Sequence, residues 1–371
     1  MSAALLATTA LWGCGPPDPP AIPDRTTLSN AASVGELGGM DALVAAAKAE
    51  GRLNAIAMPS DWANYGQIIR RFEERYGIDV SVENPDGSSQ DAVRALKEDR
   101  DDGAAVDVVE LGTAHAETAA KEGLFAKYRI ERDKDIPSSR RDANSEWYAN
   151  YGGYVSIGCA LKHAGTCPRT FADLRKPQYK GKVALNGDPT RSNSALAGVF
   201  AAALANEGSF DDIAPGVAFF GELKEQGNYT RTEPTAQSIR SGRTPIVVDW
   251  DFKAAMHWDD FVNTDLQWLV QVPPDGLYAG YYATAINREA AHPAAARLWQ
   301  EFLFSDEAQN LRMKGFARPV LREHMEKEGT LDVISAGWLP KLPFEQSAVP
   351  TSEQLNRAKK VVSDSWDQAT E

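Results

Sequence analysis

The chain has 371 residues, 43% of them hydrophobic and 25% charged, which is enough apolar material for ordinary cores and enough length for two domains rather than one. Its formal charge of −13, from 52 acidic and 39 basic side chains with no block of clustered Lys or Arg, repels a phosphate backbone and makes nucleic acid a poor partner. The acidic excess gives only weak support for a cationic ligand, because most acidic proteins carry such charge for solubility.

In chain order, residues 1–13 (MSAALLATTALWG) form a small apolar run too short to span a bilayer, ending at Cys14 before the Pro-rich stretch GPPDPPAIPD. The sequence Leu11-Trp12-Gly13-Cys14 resembles a lipobox, which implies that 1–14 is a lipoprotein signal and that Cys14 is lipidated. Trp12 departs from the pattern, since a small residue is usual there, and no Lys or Arg precedes the run. Residues 15–34 lack periodicity and are expected to be a flexible tether. No other run reaches about 18 apolar residues, and SALAGVFAAALA (194–205) reads as a buried helix.

From there strands and helices alternate: a strand at 53–59, a helix at 63–76, a strand at 78–84, a helix at 90–99 and a strand at 106–112. In the first helix Tyr65, Ile68, Ile69, Phe72 and Tyr76 recur at helical spacing, Ser60 or Asp61 supplies a cap, and Gly77 ends it. A second unit starts at YGGYVSIGCA (151–160). It continues with a helix after Thr170, a strand at 182–188, helices from Ser194 and over 215–226, and a strand at 244–251. After GLYAGYYATAIN (276–287), Pro293 opens a helix, another follows Ser305, and a last one covers 352–367. Such alternation predicts an α/β fold of mostly parallel sheets flanked by helices. Cys159 and Cys167 are candidates for a disulfide, and they are poor metal ligands because no CxxC or spaced His accompanies them.

The opening segment LNAIAMPSDWANYGQIIRRFEERYGIDV, the block FADLRKPQYKGKVALNGDP and the closing block GYYATAINREAAHPAAARLWQEFLFSDEAQNLRMKGFARPV are distributed across residues 50–320. Together they resemble the type II periplasmic binding proteins of ABC transporters, in the group for ferric iron, thiamine, polyamines and aminoethylphosphonate. The resemblance implies two lobes, 35–153 plus 280–317 and 154–279 plus 318–371, joined by crossing strands near 151–157, 276–282 and 317–320. It further implies a monomeric receptor outside the cytoplasm that performs no chemistry, uses no cofactor, closes on a small solute and hands it to permease subunits. Ferric-binding members carry adjacent tyrosines where this chain has Asp249-Trp250, so their iron ligands are not transferred to it.

Ligands of open α/β sheets lie beyond the carboxyl ends of the strands. That rule selects Asp61 and Trp62, residues 84–88 with Asp86, Thr113, residues 186–194 with Asp188 and Thr190, and Asp249, Trp250 and Asp251. The crossing strands add Tyr154, Tyr281 and Tyr282, of which at most one of the last two is expected to face the cleft. Five carboxylates beside ring faces suit a cation, since an ammonium over an aromatic face gains roughly 0.5 to 2 kcal/mol. A cationic or zwitterionic organic solute, such as a polyamine, thiamine or aminoethylphosphonate, is therefore the expected ligand, with ferric iron as the alternative. Asp61 and Asp188 serve equally well as caps, Asp86 sits in an Asn-Pro-Asp-Gly turn, and alternation points Asp249 and Asp251 to one side. The five histidines show no ligand spacing, so no resident metal is expected. An exported lipoprotein hydrolase is the competing class, but no G-x-S-x-G elbow is present and GDPTRSNS lacks a P-loop lysine.

Overall fold

The computed structural model describes residues 22–98, 103–339, 342 and 349–371. Among them nine strands form one continuous sheet: β1 Arg52–Ile56, β2 Asp79–Glu83, β3 Val108–Gly112, β4 Tyr148–Ala160, β5 Val183–Leu185, β6 Ile246–Trp250, β7 Trp268–Gln271, β8 Ala279–Ile286 and β9 Arg318–Pro319. Their order is β2-β1-β3-β8-β4-β6-β5, with β7 and β9 also paired to β4.

β4 organises the molecule. Its 13 residues are buried throughout, and at ~3.3 Å per residue it is about 40 Å long, enough to run through both halves. From Tyr148 to Tyr154 it pairs with β8, and from Val155 to Ala160 it pairs with β6 and β7. β9 joins opposite Tyr151 and Gly152, so three strands meet where the partners change. Glycines let indoles lie flat here: a Cβ on Gly280 would collide with the Trp250 ring, and one on Gly158 with the Trp268 ring. The outer pairs β1–β2, β1–β3 and β5–β6 are parallel, as the alternation predicts. The pairs made by β4 and β8 are antiparallel, because these strands return through the middle instead of following a crossover helix.

Among the described residues ten helices of eight or more residues flank the sheet: α1 Met40–Glu50, α2 Tyr65–Tyr76, α3 Ser89–Lys97, α4 Thr113–Lys121, α5 Asn193–Leu204, α6 Ala214–Glu225, α7 Asp251–Phe261, α8 Pro293–Leu303, α9 Asp306–Lys314 and α10 Ser352–Thr370. α2 buries Tyr65, Ile68 and Phe72 as its spacing predicts and ends on Gly77 at φ 68°. Neither Ser60 nor Asp61 caps it. Ala63 and Asn64 hold positive φ (46° and 63°), which delays the helix, and the Asn64 amide donates to Leu311 O at 2.7 Å.

Three further expectations need correction. The helix predicted after Thr170 is two 3₁₀ turns, Ala172–Arg175 and Pro177–Tyr179, because Pro177 cannot continue a helix from within. α4 and α7 were not foreseen, since each starts on the residue after a strand with no intervening loop. Within the tether expected at 15–34, a short helix Arg25–Asn30 lies on α8. The reason is Arg297, a buried guanidinium on α8 whose Nη2 and Nε donate to Ser29 O (2.7 Å) and Ala31 O (3.1 Å). Cys14 lies outside the described residues.

Cys159, in β4, is bonded to Cys167 at a Cα–Cα distance of 5.8 Å. The loop is short, so chain-entropy arguments give the bridge only about 2 to 3 kcal/mol. Urea unfolding of the Cys159→Ala/Cys167→Ala variant is expected to show a loss of that size, with dithiothreitol reproducing it in the wild type and having no effect on the variant.

Candidate ligand-binding site

Between the half carrying β1–β3 and the half carrying β5–β6 lies a cavity of about 360 Å³. Its polar side is made by loops at strand ends, with Asp86 to Ser89 after β2, Gly112 to His115 after β3 and Arg191 to Ser194 after β5. Three helices begin on these loops. α3 is capped by Ser88 in a capping box with Asp91, and in α5 the Ser192 hydroxyl accepts from Ala195 N at 3.2 Å. α4 starts from Gly112, which offers no side-chain cap, so the first-turn amides around Thr113 lack that acceptor. Aligned peptide dipoles and uncapped N–H groups at a helix start attract negative charge. Arg191 stands beside them with its side chain 88% exposed, and its nearest carboxylate, Asp188, is 3.9 Å away.

The opposite side is aromatic. Trp62 meets Phe252 and Tyr282 edge to face (centroids 5.2 and 5.6 Å), and its indole donates to the Tyr151 hydroxyl at 2.7 Å. Tyr151 stacks on Tyr282 at 5.3 Å, and Trp250 leans on Tyr278 at 6.0 Å. Two buried polar atoms on this lining lack a hydrogen bond, Trp250 Nε1 and Glu110 Oε1. The Trp250 indole interacts with the Tyr282 hydroxyl, and the Glu110 carboxyl with the Asn150 side chain, without full bonding geometry in either pair. Burial pushes the Glu110 carboxyl up to about 7, against the pull of Arg312 and the hydrogen bond from Tyr65. The Arg312 guanidinium sits 3.7 Å from the Tyr65 ring centre and 4.5 Å from that of Tyr151.

Of the residues expected at the site, Trp62, Asp86, Thr113, Trp250, Tyr281 and Tyr282 line this cavity. Tyr281 and Tyr282 both contribute, contrary to the expectation that only one would. The other six do not line it. Asp61 lies at the rim, 73% exposed, 3.7 Å from the Lys253 amine. Tyr154 is buried at the strand crossing with Arg318 5.1 Å over its ring, and its amide donates to Asp251 at 3.0 Å. Asp188 folds back on its own loop, accepting from the amide and hydroxyl of Thr190 at 2.9 and 2.7 Å, which occupies Thr190 as well.

Asp249 is partly buried and accepts from the Asn186 amide and from Trp250 N, and its desolvation raises the carboxyl to about 6. Asp251 is paired with Arg318 in the interior. The alternation argument fails for the last pair because β6 stops at Trp250 and Asp251 is the first residue of α7. Glu110, His115, Tyr151, Tyr278 and the tail residues Val349, Pro350 and Leu355 also line the cavity and were not anticipated. Pro85, Gly87, Ser88 and Arg191 to Ser194 also line it and fall in the stretches 84–88 and 186–194 that the strand-end rule selects.

The charge balance of the cavity therefore differs from the expectation. The carboxyl groups on this lining are Asp86 and Glu110, the latter raised by burial to about 7, and they face three helix starts and Arg191. Among the described residues no group of three or more His, Cys, Asp or Glu is placed to hold a metal, and no helix is long and apolar enough to cross a membrane.

Two α/β halves joined by crossing strands around such a cavity suit solute capture, and residues 107–335 match the family model described as bacterial extracellular solute-binding protein. The chain belongs to the bacterial extracellular solute-binding proteins. No curated protein matches it by sequence. Among solved structures it is similar to the apo ferric ion-binding protein A of Pasteurella haemolytica, with 21% identity, TM-score 0.65, and 85% of this chain and 97% of that one covered. It is also similar to the periplasmic binding protein AfuA of Actinobacillus pleuropneumoniae with fructose-6-phosphate bound (17%, 0.65, 85% and 99%). An ABC transporter structure from Clostridium perfringens ATCC 13124 gives 18%, 0.63, 86% and 100%. At these identities the likeness establishes the two-lobed type II periplasmic fold. This solute-binding protein works outside the cytoplasm by binding rather than by catalysis.

Proposed function

We propose that this solute-binding protein is the receptor of an ABC importer, delivering to permease subunits a small organic solute with an anionic head and an apolar or cationic remainder. A zwitterion such as 2-aminoethylphosphonate fits that description, and a polyamine does not. The observation that carries the reading is the meeting of the α3, α4 and α5 starts on one cavity, while Asp249 and Asp251 are engaged by partners within the fold. The lobes are 35–153 plus 280–317 and 154–279 plus 318–371, a division supported by the change of β4 partners between Tyr154 and Val155. Solute shifts the balance toward closure because only the closed form touches it from both sides.

Binding to the native state alone raises stability by RT ln(1 + [L]/Kd), about 2.7 kcal/mol at a hundredfold excess over Kd. A thermal-shift screen with 2-aminoethylphosphonate, fructose-6-phosphate, spermidine and ferric citrate is expected to return an anion or zwitterion. Spermidine as the sole hit overturns the reading. Ferric iron is the second reading, favoured by the carboxylate and phenol oxygens that Glu110, Tyr151 and Tyr282 bring to one lining, and a visible tyrosinate-to-iron absorption band on adding ferric citrate identifies it. The protein is held at the membrane as a monomer by lipid on Cys14. Cys14→Ala is expected to abolish palmitate labelling and release the chain from the membrane fraction.

A further inference from the structure

α10 touches both halves. Its C-terminal end is seated on α6, where Trp366 packs edge-on against Phe220 and Tyr229 (5.4 and 6.2 Å), Arg231 pairs with Asp367 at 3.0 Å, and Lys224 donates to Thr370 O at 3.2 Å. Its N-terminal end reaches α4 in the other half. There the Ser352 hydroxyl donates to Ala114 O at 2.6 Å and lies 3.1 Å from Glu117 Oε2, and the Lys359 amine donates to His115 Nε2 at 3.2 Å. His115 is a competent acceptor because burial, with Lys359 adding to it, holds its imidazole down at about 4 and hence neutral. Val349, Pro350 and Leu355, at the same end of the helix, line the ligand cavity together with Ala114 and His115.

From these contacts we infer that α10 is a strap anchored on the β5–β6 half which carries a movable wall of the cavity onto α4, so that Leu355 limits solute size and the Ser352 and Lys359 contacts hold the cleft shut. The inference rests on the cleft being the solute site. A helix is too stiff to follow both halves when they part, so one end must release. Trp366 is buried among aromatic rings, whereas the α4 end is held by a few polar contacts that water replaces at little cost, so the α4 end lets go. Opening then removes a wall as well as separating the lobes, which admits solute from the α10 side.

The test uses the full chain and two variants, Ser352→Ala/Lys359→Ala and Leu355→Trp. Hydrogen exchange of the first-turn amides of α4 is expected to quicken about tenfold in the double variant while α6 stays protected. Titration with the anionic aromatic dye 8-anilinonaphthalene-1-sulfonate is expected to weaken about tenfold or more in Leu355→Trp, with melting temperature retained. Unchanged α4 exchange, or unchanged dye affinity in Leu355→Trp, overturns the strap. Thr113→Asp separates the two ideas. If it abolishes dye uptake while Leu355→Trp does not alter it, the cleft stands and the strap falls; if neither variant alters uptake, the cleft reading fails too.

Discussion

Arg318→Met is expected to cost about 3 to 5 kcal/mol of unfolding free energy, the range for removing one member of a buried ion pair. Arg318 and Asp251 are fully buried, and they meet where β4, β9 and the start of α7 converge. The Asp251 carboxylate also accepts from Tyr154 N at 3.0 Å and Phe252 N at 2.9 Å, so it is fixed in place and cannot turn to water when the guanidinium is lost. A charge stranded in this way is what makes the loss large. Neutralising it as well, in Arg318→Met/Asp251→Asn, is expected to recover most of the loss, since Asn keeps an acceptor for those two amides. Urea unfolding of wild type, both single variants and the double variant measures the coupling. A loss below about 1 kcal/mol in Arg318→Met, the scale of exposed pairs, would remove the pair from its role at the crossing.

This pair also shows where sequence reasoning stops. Periodicity is local, so it located α2 from Tyr65, Ile68 and Phe72, α8 from Pro293, and the buried strand β3, nearly to the residue. The partner that neutralises Asp251 is 67 residues away, and the amide that occupies Asp249 is 63 residues away. Carboxylates at strand ends therefore look available in sequence although folding has satisfied them. Trp62, Asp86 and Thr113 line the cavity because the strand-end rule concerns backbone geometry, which the alternation of elements does encode. Leu355 could not be found that way, since nothing near it indicates that the chain's last helix returns to α4. Thr113 and Asp251 share a further difficulty, because each ends an apolar strand by starting a helix directly and so offers no loop composition to read.

Stability of the wild type is expected to fall as pH rises from about 5 to 7. Burial is the main reason that Glu110 and Glu301 are raised to about 7 and Asp249 to about 6. Each holds a proton in the folded state that the unfolded chain has already released, and wherever the folded state binds more protons, stability decreases with pH. Glu50, pushed up by burial, and His292, raised by its bond to Asp107, add to the same slope. His115 opposes it, because its lowered value favours folding as pH rises from about 4 to 6.5, but it is one imidazole against these groups.

Glu110 moves from 4.5 to about 7 and is 4% exposed, so at roughly 1.4 kcal/mol per unit its share is on the order of 3 kcal/mol. Glu110→Gln is expected to remove that share of the slope, read as unfolding free energies at pH 5 and pH 8 in both proteins. An unchanged slope would mean that the carboxylate is ionised at little cost in the fold. The same titration acts on the solute. Above pH 7 the cavity floor becomes negative, so affinity for an anionic head falls, whereas in Glu110→Gln only the solute's own ionisation is left to vary. If both proteins show the same pH profile of binding, Glu110 does not face the bound anion, and the head lies toward α4 and Arg191 alone.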